Sequence, residues 1–283
     1  MKNGKMQGLF ALFRFELSTA AGICVLLAEI LALGAIPSLN DAMYGFLGFF
    51  CISATALILN DCFDIEADRI NSPMRPLVSG TVSRNEAVVL SAIVALSGFI
   101  SSFAAGFPAF MLAFIVWLAG FFYNWKLKKS GLAGNLLVSF SVGMAFIFGG
   151  VVVGNPYEKT VWYFALTAMF VDLGEEIAAD ALDVEGDRQS GSRSIAVIFG
   201  PVAAMRTASA LFAIVIIGSF VPFAFGWFGW PFHVPVFLFD ILLLLSAGNL
   251  LDENRKNRQR DIRRIYLGGT AMLVAFIVIR LWF

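Results

Sequence analysis

The chain has 283 residues, of which 59% are hydrophobic and only 14% charged, and its mean hydropathy is +0.82. A soluble domain is roughly a quarter charged, so this composition is that of an integral membrane protein. A formal net charge of zero gives no case for nucleic-acid binding, and three cysteines with no CxxC pair and a single histidine, His233, argue against a zinc site, a disulfide framework or a Ser-His-Asp triad.

An apolar stretch near 20 residues can cross a bilayer as a helix. Nine such stretches are predicted, at 15–36, 41–62, 85–104, 107–124, 133–154, 160–180, 201–225, 233–250 and 262–282. The first follows Lys2, Lys5 and Arg14 without a cleavage pattern and reads as a retained span. The second runs directly into "LNDCFDIEADRIN", residues 59–71. The fourth ends in "FFYNWKLKK", with Lys126, Lys128 and Lys129. The sixth is interrupted by Asp172, Glu175 and Glu176 and ends in a second acidic run, "DLGEEIAADALDVEGD". After the eighth comes a basic run that includes Arg255, Lys256, Arg258, Arg260, Arg263 and Arg264. With nine spans, 18 of the 20 Lys and Arg fall on one face and only Lys159 and Arg280 on the other. The positive-inside rule makes the crowded face cytoplasmic and predicts a multi-pass protein of the cell membrane.

Eleven of the 20 acidic residues fall in the two acidic runs, both at the cytoplasmic ends of even-numbered spans. "DIEADR" at 64–69 recurs as "DVEGDR" at 183–188, which suggests an internal duplication. Helical spacing of three and four aligns Asn60 or Asp61, Asp64 and Asp68 in one stripe and Glu176, Asp180, Asp183 and Asp187 in another. Like charges stacked at the edge of an apolar span need a counter-charge, and hard carboxylate oxygens suit Mg²⁺, which commonly completes its shell with substrate phosphates. Arg75, Lys126, Lys128 and Arg193 lie on the same face and can meet such an anion. There is no Gly-rich GKS/T loop, so a P-loop nucleotidase is not indicated.

These motifs, followed by "INSPMRPLVSG" and "SRSIAVIFG" respectively, resemble the UbiA superfamily of intramembrane prenyltransferases along essentially the whole chain. The resemblance implies an all-α fold of nine transmembrane helices, two four-helix pseudo-repeats plus one, in a single domain over 1–283 around a central cavity. It implies Mg²⁺ held by Asp64, Asp68, Asp180, Asp183 and Asp187, with Asp64, Asp68, Asp183 and Asp187 as catalytic residues. Asn60, Arg75, Lys126 and Arg193 match substrate-binding positions. The implied reaction is transfer of a prenyl group from a polyprenyl diphosphate to a lipophilic acceptor. "DVEGDR" with "SIAVIFG" is similar to archaeal digeranylgeranylglyceryl phosphate synthases, which points to geranylgeranylglyceryl phosphate as acceptor and to ether-lipid synthesis. That branch tends to carry basic residues just before the second motif and "RP" at the first span, where this chain has Glu175, Glu176 and Ala179, and "FRFELSTAAG". An aromatic quinone-type or chlorophyll-type acceptor is the alternative. A cation-coupled transporter is the alternative from another class, although transporter sites sit near the midplane and these acids sit at span ends beside Arg and Lys. Glu29 and Asp240 are isolated acids within apolar runs, and an intramembrane acid ordinarily faces a cavity or a partner.

Overall fold

A computed structural model describes residues 2–252 and 257–282. Arg255 and Lys256 of the basic run lie outside the described residues. The fold is helical, with no strand among the described residues. A short first helix, α1 (Lys2–Leu12), leads into α2 (Phe15–Leu33), α3 (Leu39–Phe63) and the seven-residue α4 (Ile65–Asn71). After a loop come α5 (Arg84–Ala105), α6 (Phe107–Phe122) and α7 (Leu132–Val152). The second half repeats the long-then-short pattern with α8 (Lys159–Leu182) and α9 (Val184–Ser190), then α10 (Ile195–Phe199), α11 (Pro201–Gly218), α12 (Val221–Ala224), α13 (His233–Leu251) and α14 (Arg258–Trp282).

Local chemistry sets these boundaries. Ser83 and Glu86 form a reciprocal capping box that starts α5, and the Ser38 hydroxyl accepts from the Asp41 amide to start α3. Gly106, at φ 137°, turns the chain between α5 and α6, where Pro108 then fits the first turn. Eight helices are long and apolar enough to cross a membrane, among the described residues. They coincide with eight of the nine stretches read from the sequence. The remaining stretch, 160–180, is α8, whose 24 residues reach about 36 Å at the helical rise but whose acids break its apolar character.

The helices are apolar outward and small inward. Ile93, Leu96, Ile100 and Phe103 of α5 are each about 60% exposed, a lipid-facing stripe. On the opposite face Gly98 meets Cys51 and Ile52 of α3, and Ser102 lies against Gly48. Small residues let two helices approach where no water drives them together. Aromatic and aliphatic clusters fill the contacts of α2, α3, α7 and α8, and of α8, α11, α13 and α14. Between them, bounded by α2, α3, α6, α7, α8, α13 and α14, lies a cavity of about 1570 Å³.

Candidate active site

The two acid motifs fold alike. α3 ends at Asp64 (φ −96°, ψ 8°) and α8 at Asp183 (φ −104°, ψ 15°), and each aspartate opens a seven-residue helix. In each motif the second aspartate, Asp68 or Asp187, donates its amide to the carbonyl of the first, at 2.8 and 2.9 Å. α4 and α9 pack against each other, so the motifs meet at one end of the bundle.

Most of these carboxylates already have a partner. Arg75 donates to Asp68 at 2.5 Å and to Asp61 at 3.1 Å, and Arg14 pairs with Asp61 as well. Lys128 pairs with Asp64. Asp180 accepts from Asn135 at 2.8 Å, and Asp187 from Ser194 and Ser192. Burial pushes the carboxyl of Asp68 up, against the pull of the Arg75 guanidinium. Burial also raises Asp187, while Ser194 works the other way.

Lys128 joins the halves. Its ammonium lies within electrostatic range of Asp187 and Glu176 as well as bonding Asp64. The turn that carries it is closed onto the second motif: the Arg193 amide donates to the Lys129 carbonyl at 3.1 Å. Gly131 (φ 71°) completes that turn, and any Cβ there would strike the Arg193 carbonyl. Tyr123 stands centrally, within electrostatic range of Asp64 on one side and Glu176, Asp180 and Asp172 on the other.

The structure therefore brings together Asp64, Asp68, Asp180, Asp183, Asp187 and Arg75. Asn60 is adjacent, donating to Asn124 at 3.0 Å. Lys126 and Arg193 are exposed, and Arg193 meets the site through its backbone. Lys128, two residues on from Lys126, is the lysine of this turn that pairs with Asp64. Asp61 and Arg14, which spacing arguments leave in the background, hold Arg75 in place; a left-handed Arg14 (φ 41°) has no signal in the sequence.

The donor set fits a hard divalent cation shared with an anion. Among the described residues no three His, Cys, Asp or Glu side chains converge closely enough to hold an ion alone. Mg²⁺ would take a carboxylate or two from a motif and complete its shell with phosphate oxygens. Only Asp183 of the motif residues reaches the wall of the large cavity, together with Asp172, Glu175 and Glu176 of α8. Phe15, Phe49, Phe146, Phe164 and Phe239 line its apolar part. Glu29 does not line it: both carboxyl oxygens are buried without a partner, against Gly45. Asp240 accepts from Ser219 at 2.7 Å beside a separate space of about 20 Å³.

A family model described as "UbiA prenyltransferase family" matches residues 21–277. The chain is 32% identical over 265 residues to digeranylgeranylglyceryl phosphate synthase of Thermococcus kodakarensis, covering 91% of this chain and 94% of that protein. A solved structure reported for digeranylgeranylglyceryl phosphate synthase superposes with a TM-score of 0.75 at 29% identity, covering 98% of each chain. A UbiA homolog from Archaeoglobus fulgidus, solved bound to GPP and Mg²⁺, shares the fold with a TM-score of 0.66 at 20% identity, covering 94% of this chain and 98% of that one.

Proposed function

The chain belongs to the UbiA prenyltransferase family and is a prenyltransferase, and on that premise we propose that it transfers a geranylgeranyl group from its diphosphate to the free hydroxyl of geranylgeranylglyceryl phosphate, with Mg²⁺, in ether-lipid synthesis. One observation carries the reading. Two aspartate motifs pack against each other with Lys128 and Arg75 paired to the first, and Asp183 of the second reaches the wall of a cavity of about 1570 Å³. That exceeds the roughly 300–1,000 Å³ that holds a drug-sized ligand, as two long prenyl chains require. In this reading α8 is the sixth of nine spans, the two halves are pseudo-repeats, and the motifs open to the cytoplasm. The donor and acceptor are its partners within the bilayer.

Each residue then has a task. Arg75 and Lys128 exchange their carboxylate partners for the donor's diphosphate, while Asp64, Asp68, Asp183 and Asp187, with Asp180 behind them, would hold Mg²⁺. Bound Mg²⁺ supplies Lewis-acid stabilisation of the leaving diphosphate. The allylic C1–O bond breaks with its electron pair on the diphosphate, and the acceptor hydroxyl oxygen bonds to C1. Its proton passes to a carboxylate, and Glu176, one turn inside Asp180 on the same face, is the candidate. Phe49, Phe146, Phe164 and Phe239 belong to the apolar wall that would house the prenyl chains and keep water from quenching the allylic cation.

The test is direct. Purified protein given geranylgeranyl diphosphate and a panel of acceptors should yield digeranylgeranylglyceryl phosphate by mass spectrometry, and EDTA should stop it. Alkylation of an aromatic or chlorophyll-type acceptor alone would overturn the acceptor; undiminished turnover in EDTA would overturn the metal.

A further inference from the structure

The wall of the cavity formed by α8 turns acidic side chains inward: Asp172, Glu175, Glu176 and Asp183. Without a cation between them, a phosphate is repelled by these side chains. The facing wall is the reverse. Arg258, Arg260 and Arg263 from the first two turns of α14, and Arg14 at the head of α2, line the same cavity. Two of these are engaged, Arg14 with Asp61 and Arg263 with Glu16 at 3.1 Å. Arg258 donates one terminal nitrogen to the Asp252 carbonyl at 2.7 Å, but its Nε is buried with no acceptor. The Arg260 side chain has no ion-pair partner among the described residues. A buried N–H without an acceptor is unfavourable unless a ligand completes it. α14 also begins at Arg258, so its first amides and helix dipole add positive potential at the same point.

We propose that Arg258 and Arg260 form a phosphate-monoester site for the headgroup of the acceptor lipid, separate from the diphosphate site at Arg75 and Lys128. The site rests on the ether-lipid acceptor proposed above. Its location follows from the acceptor's chemistry. The hydroxyl to be alkylated and the phosphate sit on neighbouring carbons of one glycerol, so the phosphate must dock at the same end of the cavity as the donor's leaving group. Two anionic headgroups at one level need separate cations. The arginines of α14 stand on the cavity wall with Asp183 but make no pair with the acid motifs. Acceptor selection is therefore written on α14, where the acidic α8 cannot provide it.

The experiment compares geranylgeranylglyceryl phosphate with its dephosphorylated counterpart, geranylgeranylglycerol, in neutral detergent, so that no bilayer phosphate competes. In R258Q/R260Q the KM for the phosphorylated acceptor should rise at least about tenfold per arginine, the loss expected of one charge-assisted hydrogen bond. The KM for geranylgeranyl diphosphate and the rate with geranylgeranylglycerol should not change. R258K/R260K should recover part of the preference, and R206Q, an exposed arginine on α11, should behave as wild type. A double variant that keeps the wild-type preference for the phosphate overturns the site. So does one that loses both acceptors equally, which marks a structural role. Wild-type protein that prenylates neither glycerol lipid overturns the ether-lipid reading and the site with it, whereas the first two outcomes overturn the site alone.

Discussion

Arg14 and Asp61 are joined by an ion pair that fastens the head of α2 to the end of α3. Arg14 makes it from a left-handed backbone, φ 41° and ψ 60°, and is the only non-glycine residue with positive φ among the described residues. Asp61 is 3% exposed and also holds Arg75, which reaches Asp68. Strain at Arg14 is thus tied, through one buried carboxylate, to the cation beside the first motif.

The first prediction separates the strain from the contact. Arg14→Ala and Arg14→Gly both delete the ion pair, but only glycine accepts the left-handed conformation freely. Both variants should lose prenyl transfer. In detergent denaturation the glycine variant should be the more stable by about 1 kcal/mol. Equal stabilities would show that the Arg14 backbone carries no strain.

A second prediction concerns the close approach of α2 and α7. A Cβ on Gly149 would strike the Val25 carbonyl and Ala28, and that backbone cannot yield. Gly149→Ala should destabilise by about 1–3 kcal/mol, as overpacking does. Gly248 in α13 has nothing within 4 Å of such a Cβ, and Gly248→Ala should stabilise by roughly 0.5–1 kcal/mol through helix propensity. The same denaturation series measures both, and a neutral Gly149→Ala would mean that the two helices can part without cost.

What the sequence made legible was whatever repeats locally. Hydropathy located the long helices because each carries its own apolar signal, and helical spacing aligned Asp64 with Asp68 and Asp183 with Asp187. The kink that starts α4 and α9 at Asp64 and Asp183 was not readable, because no glycine or proline marks it. Nor were the ion pairs between distant elements. Lys128 and Asp64 are 64 residues apart, and Arg14 and Asp61 are 47 apart. Lys128 therefore read only as one of several cations on the same face as the acids, and Arg14 counted only towards topology. Likewise the arginines of α14 read as cytoplasmic anchors, since only the tertiary fold places them on the cavity wall.

The third prediction addresses orientation. With nine spans, the 18-to-2 division of Lys and Arg predicts the start of α14 in the cytoplasm and the α7–α8 loop outside. In a chain freed of Cys24, Cys51 and Cys62, single cysteines at Asn257 and at Tyr157, which is 86% exposed, should label from opposite faces of sealed vesicles. Labelling of both from one side would remove α8 from the set of spans and the acid motifs from the cytoplasmic face.

The last prediction divides the site into carboxylates that would hold metal and cations that would hold diphosphate. Asp64→Asn and Asp183→Asn keep size and hydrogen bonding but remove a charge, so each should weaken the response to Mg²⁺ and nearly abolish turnover. Arg75→Ala and Lys128→Ala leave the aspartates in place and remove a charge-assisted contact to the leaving group. Each should cost roughly 1.5–3 kcal/mol, or about 10- to 150-fold in rate. Excess Mg²⁺ should partly rescue the aspartate variants and leave the basic variants unrescued, a split that general misfolding would not produce. Lys126→Ala, altering an exposed side chain, should stay near wild type. A Lys126 variant that fails while Lys128→Ala works would return the diphosphate contact to Lys126. It would also mean that the Lys128–Asp64 ion pair only fastens the turn. Wild-type turnover of Asp64→Asn and Asp183→Asn at limiting Mg²⁺ would remove the metal from both motifs.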